Sequence, residues 1–431
     1  MKFRINGGKK LEGEIKLAGA KNAATKMMVA SLLTGEPCLL KNFPDIGDAK
    51  ITAELCRAIG SEIIVQADSL KIQTREIKNA RVNSLSRRNR IPILTLGPLL
   101  ARVGEAEVPI LGGDRIGPRP VDLHFEALTA MGAKIEVLAD RYVASAKGGL
   151  RGTTIKMRFP SVGATENAIL AAVLAKGRTI IQNAAVEPEI LELIQMLQKM
   201  GAIIELGANR RIEIEGVPEL KGVTHKILPD RNEAVSFACL AVATDGRILV
   251  KDARQRDLIT FLNALRKIGG EYEVTKEGIV FYRNRDLTGL TIETDTHPGF
   301  MTDWQQPFAV LLTQSKGQSV IHETIYEDRF GYTEDLNLIG ADIKVVAKCL
   351  GDLPCRFQDS SYFHSAVING PTRLKGGKLQ VKDLRSGIAH LIAALIAESS
   401  SEVEGVEEID RGYKQIDERL RQLGADIQRI I

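Results

Sequence analysis

No apolar run in this chain approaches the roughly 20 residues that span a bilayer, and the opening Met1-Lys2-Phe3-Arg4-Ile5 lacks the apolar core of a signal peptide. A cytoplasmic protein is expected. Charge of one sign is lacking too: 58 Lys and Arg against 54 Asp and Glu leave a net +4, too little for a whole-surface nucleic-acid binder. The basic residues are not interleaved with aromatics, so neither nucleic acid nor a membrane is an expected partner. Any positive field must be local. Cysteine is scarce and odd in number, at 38, 56, 239, 349 and 355, which gives no disulfide framework. Cys349 and Cys355 with His364 could suggest a metal site, but their spacing matches no common zinc pattern; buried or loop thiols, with no metal, are the expectation.

What the chain has is repetition. A hydrophobic residue, Gly and a small or acidic residue recur at Gly60, Gly132, Gly201, Gly269, Gly340 and Gly424, spaced by 72, 69, 68, 71 and 84 residues, each after an amphipathic stretch and before a β-branched run. A near-constant period means one supersecondary unit used six times. At 431 residues the chain exceeds what one core usually serves, so the six units divide into three and three. Before each marker lies a second, more uniformly apolar stretch, such as 22–34 closing at Gly35, 164–176 closing at Gly177, 231–245 before Gly246 and 304–316 before Gly317. Helices apolar nearly all round are buried, and Gly stands where a helix C′ residue is expected. The unit therefore reads as βαβαββ-like, and the fold as a two-domain, inside-out α/β barrel with buried helices and outer sheets. In the second copy Pro92, Gly97 and Pro98 predict a kinked or short helix.

The polar heads of these helices carry the chemistry. Lys21, Arg90, Arg231 and Arg385 occupy four of the six heads, where the helix macrodipole normally favours acids. Taken singly, each could snorkel or pair with a neighbouring acid. At equivalent positions of related units they fall at one end of each domain, and if those ends face each other they line a cleft for polyanions, phosphates above all. Asp303 reads as an ordinary N-cap or, in such a cleft, as an ionised base. Between Pro109 and His124 the second unit carries three glycines, three prolines and several charges. A segment of this kind is a lid or a plain glycine-rich connection.

Together, Lys21-Asn22, Leu96-Gly97-Pro98-Leu99, Gly112-Gly113 through Arg119-Pro120-Val121-Asp122-Leu123-His124, Ser161 to Asn167, Leu228 to Arg231, His297-Pro298 with Thr302-Asp303, Asp383 to Arg385 and Asp410 to Tyr413 resemble the UDP-N-acetylglucosamine enolpyruvyl transferase family. The resemblance runs nearly the whole length, in order. It implies transfer of enolpyruvate from phosphoenolpyruvate to the 3-hydroxyl of UDP-N-acetylglucosamine by addition and elimination, the first committed step of peptidoglycan synthesis, with no cofactor. Lys21, Arg90, Arg119, Arg329 and Arg385 would clamp phosphoenolpyruvate. Asn22, Arg119, Pro120, Val121, Asp122, Leu123, Ser161, Val162, Gly163, Asp303 and Ile325 would form the sugar-nucleotide site, with Arg231 beside them. Asp303 would help deprotonate the attacking hydroxyl, with Lys21 and Arg385 acting on the reacting groups. The family's domains would cover 22–229, with a lid near 111–121, and 1–21 joined to 230–431. A monomer is favoured.

Two departures from the family stand out. Asp114 replaces the usual loop cysteine. No thiol adduct with phosphoenolpyruvate can form, but a carboxyl can still act as general acid toward the enolpyruvyl methylene. Resistance to fosfomycin, which alkylates that cysteine, is expected. Phe159-Pro160 also stands where some members place a lysine. Two rival readings share these residues: a UDP-sugar-binding regulatory paralogue, and enolpyruvyl transfer to another hydroxyl acceptor. The long last interval contains an insertion near Cys349 to His364 with no function legible in it.

Overall fold

A computed structural model describes every residue except Arg88, Asp114, Arg115 and Ile431, so the expected general acid Asp114 lies outside the described residues. Six helices form in the apolar stretches: α1 (Lys21–Ala30), α2 (Pro92–Val103), α3 (Val162–Ala172), α4 (Arg231–Ala243), α5 (Gln305–Thr313) and α6 (Leu384–Ile396). Small side chains let them sit in a close-packed interior: α3 buries Ala164, Ala168, Ala171 and Ala172, and α6 buries Ala389, Ala393 and Ala394. The helix expected to be kinked or short, α2, is not short: it runs 12 residues, with Pro92 in its first turn and Pro98 inside it. No described helix is long and apolar enough to cross a membrane.

The chain divides into two compact units. One comprises 19–113 and 120–228 and holds α1, α2 and α3; the other comprises 1–18 and 229–431 and holds α4, α5 and α6. Residues 116–119, expected with the first, group with the second. The reason is backbone bonding: Asp328 donates its N–H to the Ile116 carbonyl at 3.3 Å, and the Arg119 guanidinium lies over the Tyr326 ring at 5.4 Å.

Among the described residues each unit has three small sheets around its helices. The third repeat shows the plan. Thr154–Lys156 lies parallel to Arg178–Gln182 with α3 between them in sequence; the helix Pro188–Lys199 follows, then the antiparallel pair Ile203–Gly207 and Arg211–Glu215. The outer helix buries Ile190, Leu193, Ile194 and Leu197, the spacing of one helical face. In the second repeat the edge strand shrinks to a single bridge between Arg81 and Glu107. The unit of α4–α6 is completed by strands from the chain's start. Glu12–Lys16 pairs with Arg247–Lys251, and Lys2–Asn6 lies between Ser400–Glu404 and Asp426–Ile430.

All six marker glycines have φ between 95° and 127°, the left-handed region that ends a helix without a Cβ clash. The expectation for the buried helices holds at Gly177 and Gly317, with φ of 89° and 93°. It fails at Gly35 and Gly246, which are not left-handed. Gly246 has another cause: a Cβ there would lie 2.0 Å from the Leu11 carbonyl oxygen.

One buried cluster fixes the heads of α2 and α3. The Asn167 amide accepts from Gly97 N–H at 3.2 Å, donates to the Ile93 carbonyl at 3.0 Å and reaches His124 Nδ1 at 3.2 Å. A Cβ at Gly97 would stand 2.9–3.1 Å from Asn167 and Ala171 atoms, two of them backbone. Burial, reinforced by the Arg90 charge, pushes the His124 pKa down from 6.5 to about 3, so the imidazole is neutral and its Nδ1 can accept.

Two outcomes follow. Gly97→Ala should destabilise the chain by about 1–3 kcal/mol through overpacking, read as a lowered Tm. Because His124 binds its proton less tightly when folded than when unfolded, acidification from about pH 6.5 toward 3 should withdraw up to ~5 kcal/mol of stability. His124→Gln should flatten the fall of Tm across that window; an unchanged pH slope would remove His124 from the account.

Candidate active site

In the unit of α4–α6 the three helix heads converge through ion pairs and rings. Asp230 caps α4, its Oδ1 accepting from the Asn232 and Glu233 amides at 2.7 and 3.3 Å. Asp383 caps α6 in a reciprocal box with Ser386. Each cap starts its helix beside an arginine, Arg231 or Arg385, both nearly fully buried. Arg231 stacks over Trp304 at 5.5 Å, and the Trp304 indole donates to Asn232 Oδ1 at 3.0 Å, which joins the head of α4 to that of α5.

Asp303 is the centre of the site. It lies in the short turn Thr302–Trp304 that leads into α5 and bridges two guanidiniums: Arg329 Nη2 donates to its Oδ1 at 2.6 Å and Arg385 Nε to its Oδ2 at 3.1 Å. The arginine side chains are 2% and 5% exposed and the carboxylate 17%. Burial alone would pull both guanidinium pKa values down, but the Asp303 charge, helped by further acids and Tyr413, carries them above their ordinary value. The second arm of Arg385 donates to the Tyr413 hydroxyl at 3.3 Å, which in turn meets Ser236 Oγ at 2.8 Å. The Gln306 amide fits this surrounding with its oxygen toward Arg329 Nε, 2.7 Å away. The expected Asp303, Arg329 and Arg385 are therefore in direct contact, and Asp303 is an ion-pair bridge rather than a helix cap.

Ile325 lies in a turn held by Glu323, a fully buried acid that sequence reasoning missed. Its Oε1 accepts from the Ile325 and Tyr326 amides at 2.8 and 3.1 Å, and its Oε2 from Thr302 Oγ1 and Gln305 Nε2 at 2.9 and 2.7 Å. One carboxylate thus ties the Ile325 turn to the turn that carries Asp303. Tyr326 was missed as well: Arg119 and Arg329 lie over its ring at 5.4 and 5.3 Å. Neither residue belongs to a repeat position, so the periodicity offered no signal.

In the unit of α1–α3, Lys21 is the first residue of α1, and its ammonium pairs with Asp48 of the helix Gly47–Ile59 at 2.9 Å. Asn22 follows it, half-buried. Arg90 precedes α2, close enough for its charge to act on His124. Pro120 and Val121 lead into the helix Asp122–Ala130, where the Val121 carbonyl accepts from His124 N–H at 3.0 Å. The Asp122 carboxylate accepts from Leu123 N–H at 3.0 Å and pairs with Arg158. Ser161 caps α3, its Oγ accepting from Ala164 N–H at 3.4 Å, and Val162 and Gly163 are the first two helical residues. Phe159 gives its carbonyl to Ser161 N–H at 2.7 Å, a backbone part that needs no lysine.

A helix-head carboxylate between two buried guanidiniums is equipped to bind a compact polyanion and accept a proton from a hydroxyl. Comparison with known proteins agrees. Residues 5–420 match the family described as EPSP synthase (3-phosphoshikimate 1-carboxyvinyltransferase). The chain is 48% identical over 434 residues to the UDP-N-acetylglucosamine 1-carboxyvinyltransferase of Protochlamydia amoebophila, covering 99% of this chain and 93% of that one. It is 49% identical to the protein of the same name from Chlamydia abortus, covering 98% and 97%. The solved enolpyruvyl transferase NikO of Streptomyces tendae shares the fold at a TM-score of 0.86 and 23% identity, covering 99% and 98%. EPSP synthase of Acinetobacter baumannii shares it at 0.71 and 17%, covering 99% and 100%. With likeness this high along its whole length, the chain belongs to the UDP-N-acetylglucosamine 1-carboxyvinyltransferase family of enolpyruvyl transferases.

Proposed function

We propose that this enzyme moves the enolpyruvyl group of phosphoenolpyruvate onto the 3-hydroxyl of UDP-N-acetylglucosamine and releases phosphate, opening peptidoglycan synthesis. The observation that carries the reading is the Asp303 bridge between Arg329 and Arg385. Phosphoenolpyruvate brings a phosphate and a carboxylate, the two groups that planar guanidiniums grip best. Lys21, Arg90, Arg119, Arg329 and Arg385 supply its counter-charges. Asn22, Arg119 to Leu123, Ser161 to Gly163 and Ile325 take the sugar nucleotide.

The same bridge supplies a trigger. While both guanidiniums hold Asp303, its charged form is stabilised and its oxygens are occupied. Substrate anions that engage Arg329 and Arg385 compete for those donors. A carboxylate freed from one partner becomes a better acceptor for the attacking hydroxyl's proton. The sugar oxygen then bonds to C2 of phosphoenolpyruvate while C3 gains a proton from Asp114. Loss of one methyl proton from C3 to Asp114 and of phosphate from C2 restores the double bond, and the hydroxyl proton held by Asp303 passes to the departing phosphate or to water. Asp114 thus gives one proton to C3 and takes one back, a role that needs no thiol.

Phosphate released from phosphoenolpyruvate, with and without UDP-N-acetylglucosamine, measures the reaction; release independent of the sugar nucleotide, or none at all, would sink the assignment. Asp303→Asn keeps one oxygen for the arginines but removes both the base and the anion they share, so turnover of the folded variant should fall about 100-fold or more and Tm should fall as well. Full turnover would take Asp303 out of the chemistry.

The native chain should show no time-dependent inactivation by fosfomycin, and Asp114→Cys should acquire it while remaining active. Inactivation of the native chain at the rate of that variant would refute the role given to Asp114.

A further inference from the structure

Between the strands Asp342–Val346 and Ser365–Gly370 the chain makes an irregular excursion, the insertion that lengthens the last glycine interval. Loops of this length without secondary structure usually need a tie. Its one buried large apolar side chain is Phe357, 3% exposed and set against His364 with ring centroids 5.7 Å apart. Phe363 at its end is 60% exposed. So little apolar burial cannot fix the path of the loop. Something polar must.

Four side chains meet at its base. A ligand atom each from His322, Cys349, Cys355 and His364 lies within 4.8 Å of all the others. Zn–S bonds of about 2.3 Å and Zn–N bonds of about 2.0–2.1 Å require tetrahedral edges of about 3.3–3.8 Å, so shifts within about an ångström close the set. Cys349 Sγ and His364 Nε2 already stand 3.2 Å apart. Both imidazoles have their outer nitrogen held: His364 Nδ1 donates to the Tyr362 carbonyl at 2.6 Å, and His322 Nδ1 meets Ser365 Oγ at 2.8 Å. Such partners are what metal-bound histidines use to fix the ring and present the other nitrogen. That other nitrogen of His322, Nε2, is buried and makes no hydrogen bond, a loss of about 1–3 kcal/mol unless something accepts its lone pair or its proton. Glycine at 351 lets the loop backbone pass against Glu293 and the ring, since a Cβ there would be 2.1 Å from Glu293 Oε2 and 2.6 Å from His322 Cδ2; the Glu293 carboxylate accepts from the Asp352 and Leu353 amides at 2.8 and 2.9 Å.

We propose that His322, Cys349, Cys355 and His364 bind one zinc ion in a closed structural site that pins the excursion to the strand Gly317–His322. Four protein ligands leave no open position, so the ion folds the loop and takes no part in the reaction. Two imidazoles converging on the thiols favour a metal over a simple dithiol pair, which would need no histidine. Spacing alone could not bring the four together, because His322 comes from an earlier strand. The consequence reaches the substrate side, a point that rests on the function proposed above. Arg356, next to Cys355, donates to the Ile325 carbonyl and pairs with Glu327 at 3.3 Å. Loss of the ion should loosen the Ile325 turn and raise KM for the sugar nucleotide more than it lowers kcat.

The test is metal content of the full-length reduced chain produced with zinc, followed by chelation and loading with Co2+. About one zinc per chain is expected, and the Co2+ form should show the intense visible bands of tetrahedral coordination with thiolate charge transfer in the near ultraviolet. Cys355→Ser, at a half-exposed position, should lose most of the metal, and chelation of the native chain should lower Tm even if that variant folds poorly. Reduced native protein that takes up neither ion, a Cys355→Ser chain that binds as much as the native one, or a Cys349–Cys355 disulfide in freshly isolated protein would overturn the proposal. Metal content and Co2+ spectra are read without turnover, so their failure is distinct from failure of the enolpyruvyl transfer.

Discussion

Two guanidiniums almost without solvent cannot stand in a protein interior unless an anion is shared with them, and Asp303 is that anion for Arg329 and Arg385. Removing one member of a buried set leaves the others uncompensated, a loss of roughly 3–5 kcal/mol. The surroundings are arranged around the bridge. Glu323 holds the turn that carries Asp303, Tyr413 takes the free arm of Arg385, and the Asp383–Ser386 box fixes the helix on which Arg385 stands. Without substrate the set neutralises buried charge, and under the function proposed above an anionic substrate would compete for the same guanidiniums.

That the chemistry sits at helix heads follows from the rest of the fold. A helix apolar around its whole circumference has no flank to offer a polar ligand; α4 buries 12 of its 13 residues and α6 12 of its 13. Only the ends remain, and the N-terminal end adds unpaired amides and a positive dipole. Placing arginine and lysine there raises the local field further and opposes the helix, a strain that the caps Asp230 and Asp383 partly offset.

Local signals were legible in the chain. The marker glycines could be read because a left-handed helix end demands glycine wherever it occurs, and the helix heads could be aligned because the markers set a register. Lys21, Arg90, Arg231 and Arg385 emerged from that alignment, while the substrates and the Arg329 and Ile325 roles came from family resemblance. Partners stayed hidden. Asp48, Glu323 and Tyr326 lie outside the equivalent positions, and no spacing says that they will meet Lys21, the Ile325 turn or Arg119. The strand exchange was equally silent: Glu12–Lys16 precedes α1 in sequence yet pairs with Arg247–Lys251. Pairing between distant strands depends on which edge is open, and the period does not record that.

The two segments that break the repeat converge on one turn. From one side Ile116 accepts from Asp328, Gly117 comes so near that a Cβ would be 2.5 Å from Glu327 Oε2, and Arg119 covers Tyr326. From the other, Arg356 reaches the Ile325 carbonyl and Glu327. Glu323 anchors that turn from beneath with four hydrogen bonds, two to its backbone amides and two to side chains of the Asp303 turn. These attachments differ in strength. A backbone hydrogen bond is worth about 1 kcal/mol and a cation–π contact about 0.5–2. Bonds to a buried carboxylate are worth about 1.5–3 each. The turn that carries Ile325 is therefore held most firmly by Glu323.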